Sequence, residues 1–122
     1  MKTRFVAATI LSVALTATGV APIVAGEDAI TVQGEILDMA CYLGHGASGE
    51  EHAPCAAKCV KGGQPMGLLA ADGKVYLLVA SHKDATAFEQ AKDFAGKQVE
   101  VSGTSMSRDG IRAVEVLAVK KL

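Results

Sequence analysis

Residues 66–101 decide the fold, and they read MGLLAADGKVYLLVASHKDATAFEQAKDFAGKQVEV. Two apolar runs, 66–71 and 74–80, lie on either side of Asp72-Gly73. This dipeptide suits the two central positions of a tight hairpin turn, because both require positive φ. The segment therefore begins with two predicted strands joined by a turn.

A helix and a further strand follow this hairpin. Residues 84–95 place alanine and phenylalanine at helical spacing, and Gly96 is a typical residue to end the helix. Residues 97–107 alternate apolar and polar side chains, as a half-buried strand does. The order within this part of the chain is thus strand, strand, helix, strand.

The flanking regions complete a mainly β pattern. Residues 27–38 alternate in the same way, and so do residues 111–121, which follow the turn dipeptide Asp109-Gly110. Between the first two predicted strands, residues 39–65 lose this period and accumulate glycine, cysteine and histidine. We interpret them as an inserted loop with one short helix.

This element order resembles the OB-fold, and in particular small exported bacterial OB-like proteins with a Cys/His-rich insert. The resemblance implies a small five-stranded barrel or sheet. One helix would lie between strands 3 and 4, and the Cys/His-rich insert would follow strand 1. An open five-stranded sheet with one helix is the alternative architecture. Because OB-folds carry many functions, the function has to be argued from the insert.

The N-terminus has the pattern of a secretory signal peptide, residues 1–26. Lys2 and Arg4 precede an apolar run, and small residues follow where a signal peptidase would cut, after Ala25 or Gly26. We therefore predict a periplasmic or secreted domain, residues 27–122, without stable membrane insertion once the signal is removed.

The charge of the chain argues against a nucleic-acid partner. The full sequence has 12 basic and 13 acidic residues, and loss of Lys2 and Arg4 leaves 10 basic residues against 13 acidic ones. Asp38 and the pair Glu50-Glu51 are the acids nearest the insert, but their spacing defines no catalytic pair. The sequence thus favours a binding function over an enzymatic one.

Metal-ligating residue types are concentrated in the insert. Cys41, His52, Cys55 and Cys59 fall within 19 residues and form a candidate Cys₃His set for one metal ion. Cys55 and Cys59 would share one face of a helix spanning residues 54–61, since they are four positions apart. His45 is the alternative fourth ligand.

Zinc fits a closed Cys₃His site best, and Cu(I), which prefers thiolates, is the second choice. The ion would be structural or the cargo of a metal-handling protein. Two alternatives need no metal. One is a periplasmic thiol-redox protein that uses Cys55 with Cys41 or Cys59, and the other is an OB-like interaction module stapled by a disulfide.

Overall fold

The computed structural model describes residues 28–122, and within them it contains five strands and three α-helices. The strands are β1 Ala29–Asp38, β2 Met66–Ala70, β3 Val75–Ala80, β4 Gln98–Arg108 and β5 Ile111–Lys121. The helices are α1 Met39–His45, α2 Ala53–Lys61 and α3 Thr86–Ala91, with 3-10 turns at Glu50–His52 and Lys92–Phe94. The predicted signal peptide, residues 1–26, lies outside the described residues.

The strands of this described region form one sheet, which closes into a barrel in the order β1-β2-β3-β5-β4. Neighbouring strands are antiparallel except for β3 and β5, which are parallel. Parallel strands cannot be joined by a tight turn. Here the chain passes from β3 through α3 and β4 before it forms β5. The prediction of a mainly β protein with one five-stranded sheet is confirmed.

Strand β1 closes the barrel because it pairs with two neighbours. Residues 29–35 pair with β4, and residues 34–38 pair with β2. Gly34 lies where the two pairings overlap, and a Cβ at this position would collide with the carbonyl oxygen of Leu69. Glycine is therefore required where β1 passes from one neighbour to the other.

The core fills the barrel with aliphatic side chains from all of its strands. Helices α2 and α3 add side chains to the same cluster, which contains Ile36, Ala56, Val60, Met66, Leu68, Leu78, Ala91, Ala95, Val99, Val101, Val114 and Val116. Among the described residues, no cysteine belongs to this cluster. The cysteines that are candidate metal ligands are thus not part of the hydrophobic core.

The segment between β1 and β2 holds two α-helices, whereas one was predicted. The predicted helix over residues 54–61 is confirmed by α2, Ala53–Lys61. The prediction missed α1, since that helix buries no residue in the described structure and so has no apolar period. Its boundary residues could have indicated it, because Asp38 caps its start and Gly46 ends it with φ of 70°.

Three other elements can be compared with their predicted form. Helix α3 is shorter than residues 84–95, because its last turn tightens into the 3-10 turn Lys92–Phe94. The prediction of a two-residue turn with positive φ at both Asp72 and Gly73 is wrong: residues 71–74 join β2 to β3, Gly73 has φ of 80° but Asp72 does not have positive φ, and the Asp72 side chain instead accepts a hydrogen bond from the Lys74 N–H. The Asp109-Gly110 turn does have positive φ at both residues, 51° and 87°. Within residues 28–122, no helix is long and apolar enough to cross a membrane.

Candidate metal centre

The insert begins and ends at adjacent positions on the barrel rim. Asp38, the last residue of β1, pairs with Met66, the first residue of β2. One residue further on, the Met39 N–H donates a 3.0 Å hydrogen bond to the Pro65 carbonyl. Helix α1 therefore starts directly at the rim, and Cys41 lies in its first turn.

Helix α2 presents its cysteines away from the barrel. Its buried residues are Ala53, Ala56 and Val60, which recur at helical spacing and face the core. Cys55 and Cys59 lie on another face, four positions apart as predicted. Cys55 is exposed and Cys59 is half-buried.

The three cysteines converge. The Sγ atoms of Cys41, Cys55 and Cys59 all lie within 4.8 Å of one another, and among the described residues all three thiols are free of disulfides. An ion with tetrahedral bonds to sulfur of about 2.3 Å holds its sulfur ligands about 3.8 Å apart. Only small side-chain movements would therefore bring the three sulfurs onto one ion.

Of the two candidate histidines, the structure brings His52 next to Cys41, in a group separate from the one that contains Cys55 and Cys59, and leaves His45 outside both groups. His52 immediately precedes α2, and one of its ring nitrogens lies within 4.8 Å of both Cys41 and Asp38. Its Nε2 is buried and has no hydrogen-bond partner among residues 28–122. His45 is the exposed last residue of α1 and belongs to neither group of possible ligands in the described region.

Asp38 is the residue of this site that sequence reasoning missed. Its side chain is 1% exposed, and Oδ1 accepts a 2.9 Å hydrogen bond from the Ala40 N–H. Oδ2 has no hydrogen-bond partner in the described part of the chain. Together with Cys41 and His52, it forms a second group whose possible ligand atoms lie within 4.8 Å of one another. The two groups therefore share Cys41.

The Asp38 carboxylate controls the protonation of its thiol neighbours. Hydrogen bonding to Asp38 raises the pKa of Cys41 to about 12, and burial of the thiol is the second cause of this shift. The same two causes raise the pKa of Cys59. Burial acts to raise the pKa of Asp38 itself, but hydrogen bonds from the Cys41 thiol, the Ala40 N–H and the Cys59 thiol outweigh it and lower that pKa. Without a cation, these two thiols keep their protons and the carboxylate stays charged.

A second buried carboxylate fixes the loop in front of His52. Alternation predicted that Glu35 faces outward, yet it is 8% exposed and its Oε1 accepts a hydrogen bond from the Gly49 N–H. The Gly49 carbonyl in turn accepts a 3.0 Å hydrogen bond from the His52 N–H. Glu35 thus holds the backbone that carries His52, because the insert covers the outer face of β1.

Comparison of the chain with protein-family models, with curated proteins and with solved structures found no match. The function therefore has to be inferred from the geometry and chemistry of this site.

Proposed function

We propose that this protein is an exported, small metal-binding protein that holds one zinc or Cu(I) ion through Cys41, Cys55, Cys59 and His52. The observation that carries this proposal is the convergence of three free thiols from two helices, one of which, Cys41, also lies within 4.8 Å of a ring nitrogen of His52. Buried polar atoms are normally hydrogen-bonded, so the unpartnered Nε2 of a histidine that lies next to Cys41 is well explained by a metal ligand.

The position of the cluster favours an ion that braces the insert. Cys41 belongs to α1, whereas Cys55 and Cys59 belong to α2, so one ion would tie the two helices together. The core cluster contains none of these cysteines within the described region. Since Cys55 is exposed, the ion would also be accessible to exchange, as metal handling requires.

The wider assignment follows from the fold and the N-terminus. The strand order, with α3 between β3 and β4, supports an OB-like domain of the small exported bacterial type. The signal-like pattern of residues 1–26 supports a periplasmic or secreted location. Zinc is the favoured ion, and Cu(I) is the second.

Native mass spectrometry tests the proposal on protein purified from the periplasm without chelator or reductant. We expect one zinc or copper ion per chain in the wild type and none in Cys55→Ser. Cys55→Ser is a suitable variant because an exposed cysteine outside the core can be changed with little effect on folding. A wild-type chain that carries no metal, even after incubation with zinc or Cu(I), would contradict the proposal.

The alternative is a thiol-redox function, which the exposure of Cys55 beside two other thiols favours. In that case the purified chain would be two protons lighter than its reduced mass, with one remaining thiol and no metal. The same spectrum therefore separates the two candidates. A disulfide that resists reduction would instead indicate an interaction module stapled by its cysteines.

A further inference from the structure

Asp38 is a buried carboxylate without a cationic partner in the described region. Its side chain is 1% exposed, and the ion pairs among residues 28–122 join Lys61 to Asp93, Lys74 to Asp72 and Lys92 to Glu89, all elsewhere on the surface. Burying an ionised carboxylate is costly unless a cation or a full set of hydrogen bonds compensates it. The Ala40 N–H and the neutral thiols of Cys41 and Cys59 compensate the charge only in part, since Oδ2 has neither a cation nor a hydrogen-bond partner within that part of the chain.

We propose that Asp38 is itself a ligand in the metal site and that it makes the site selective for a divalent ion of the zinc type over Cu(I). This inference rests on the proposed function, because it assumes that the cysteine cluster binds metal. Its geometric basis is the group Asp38, Cys41 and His52, whose ligand atoms lie within 4.8 Å of one another. Cys41 links this inner group to the outer group that also contains Cys55 and Cys59.

Ligand chemistry separates the two metals. Carboxylate oxygen and imidazole nitrogen are ordinary ligands of zinc, whereas Cu(I) is selected by soft thiolates. A divalent ion can therefore use Asp38 and His52 on the buried side together with cysteines. Cu(I) gains little from either group and would be held by the three thiolates alone.

The net charge of the bound site also favours a divalent ion over Cu(I). One divalent ion bound by the Asp38 carboxylate and the three cysteine thiolates, with a neutral His52 imidazole, has a net charge of −2 that already includes Asp38. Cu(I) bound by three thiolates has a net charge of −2, and the unpaired Asp38 carboxylate would lie next to it. Like charges repel strongly where water is excluded, so Asp38 stabilises the divalent complex and destabilises the Cu(I) complex.

Asp38→Asn tests this inference with little structural disturbance. Asparagine keeps the oxygen that accepts the Ala40 N–H and is an equally good N-cap, but it removes the charge and the anionic ligand. We expect the Kd for zinc to rise by about 10-fold or more and the Kd for Cu(I) to fall, measured by competition with chelators of known affinity. X-ray absorption of the zinc-loaded protein should show one nitrogen or oxygen ligand fewer in the variant.

Asp93→Asn is the matched control, because Asp93 is an exposed acid that pairs with Lys61 of α2 outside the cluster. It should leave both Kd values within about 2-fold. Asp38→Ser, whose hydroxyl can also cap α1, is the second variant if Asp38→Asn does not fold.

The outcomes separate this inference from the proposed function. If the wild type binds zinc through its cysteines but Asp38→Asn changes neither the Kd nor the ligand count, Asp38 is not a ligand and only this inference is overturned. An equal loss of zinc and Cu(I) affinity would also overturn it, because that result would indicate a structural role. If the wild type binds neither metal, the proposed function itself is overturned.

Discussion

Gly96 lies so close to Ala53 that a Cβ at position 96 would collide with the Cα and Cβ of that residue. Gly96 also has φ of 74°, and its N–H donates a 2.7 Å hydrogen bond to the carbonyl of Ile36 in β1. This glycine thus sets how closely the start of α2 approaches the barrel. The positions of His52 and Cys55, on either side of Ala53 and Pro54, depend on that approach.

Gly96→Ala should therefore destabilise the fold and weaken metal binding together. The positive φ and the collision with Ala53 should lower the free energy of unfolding by about 2–4 kcal/mol, measured by denaturant titration. Zinc affinity should fall as well, because α2 has to move away from the barrel. Gly73→Ala is the control, since Gly73 has φ of 80° but a Cβ added there would meet no atom within 4 Å in the described structure. Gly73→Ala should lower the free energy of unfolding by only about 1 kcal/mol and leave zinc affinity unchanged. Equal effects of the two variants would contradict this role of Gly96.

His52→Ala should weaken zinc binding by about 10-fold to 100-fold, whereas His45→Ala should leave it within about 2-fold. The side chain of His52 makes no hydrogen bond to cap α2 within the described region, so its loss should affect the ligand set more than the helix. Calorimetric titration with zinc measures both variants. Weaker binding in His45→Ala than in His52→Ala would show that the other histidine is the ligand.

Removal of the metal by a chelator should loosen the insert and leave the barrel intact. The cysteines lie outside the core cluster of the described residues, so the barrel does not need the ion to bury its apolar side chains. Hydrogen exchange should become at least about 10-fold faster in α1 and α2 and stay unchanged in β4 and β5. Loss of protection throughout β4 and β5 would show instead that the ion holds the whole fold together.

Zinc affinity should fall steeply as the pH is lowered. The pKa of Cys41 is raised to about 12 and that of Cys59 is also raised, so at neutral pH both thiols must release a proton when they bind the ion. These two thiols alone contribute about a 100-fold increase in apparent Kd for each unit of pH decrease. Titrations between about pH 6 and pH 8 measure this slope, and a slope near zero would exclude these two thiols as ligands.

The metal-free protein should respond to pH in the opposite direction. A thiol whose pKa is higher in the folded state than the unfolded value of about 8.5 favours folding below that value. The contribution of Cys41 is lost as the pH rises through its folded pKa of about 12. The free energy of unfolding of the metal-free protein should therefore decrease in alkaline solution. It should decrease less over the same pH range in Cys41→Ser. Denaturant titrations at successive pH values measure both.

Parts of the site could be predicted from local spacing. Cys55 and Cys59 share a face because four positions correspond to about one helical turn, whatever surrounds the helix. The choice between His45 and His52 could not be predicted in this way. It depends on α1, a helix without buried residues in the described structure, which carries His45 away from the cluster.

The burial of Asp38 could not be predicted from local spacing either. Its sequence position indicates a strand end, and an N-cap can be inferred there, but its 1% exposure results from the insert folding over β1. The same covering buries Glu35, for which alternation predicted a solvent-exposed side chain. Alternation describes a sheet with one solvated face, and the C-terminal half of β1 is buried on both faces.

The amino-acid sequence by itself determined the strands, the helix between β3 and β4, and the face shared by two cysteines. Each of these follows from the backbone geometry of a few neighbouring residues, which repeats every two positions in a strand and about every 3.6 in a helix. Only the tertiary structure decided that β1 closes the barrel, that Cys41 meets the cysteines of α2, and that Asp38 and His52 lie beside them. Those distances join residues far apart along the chain, and they are set by close approaches such as that of Gly96 to Ala53.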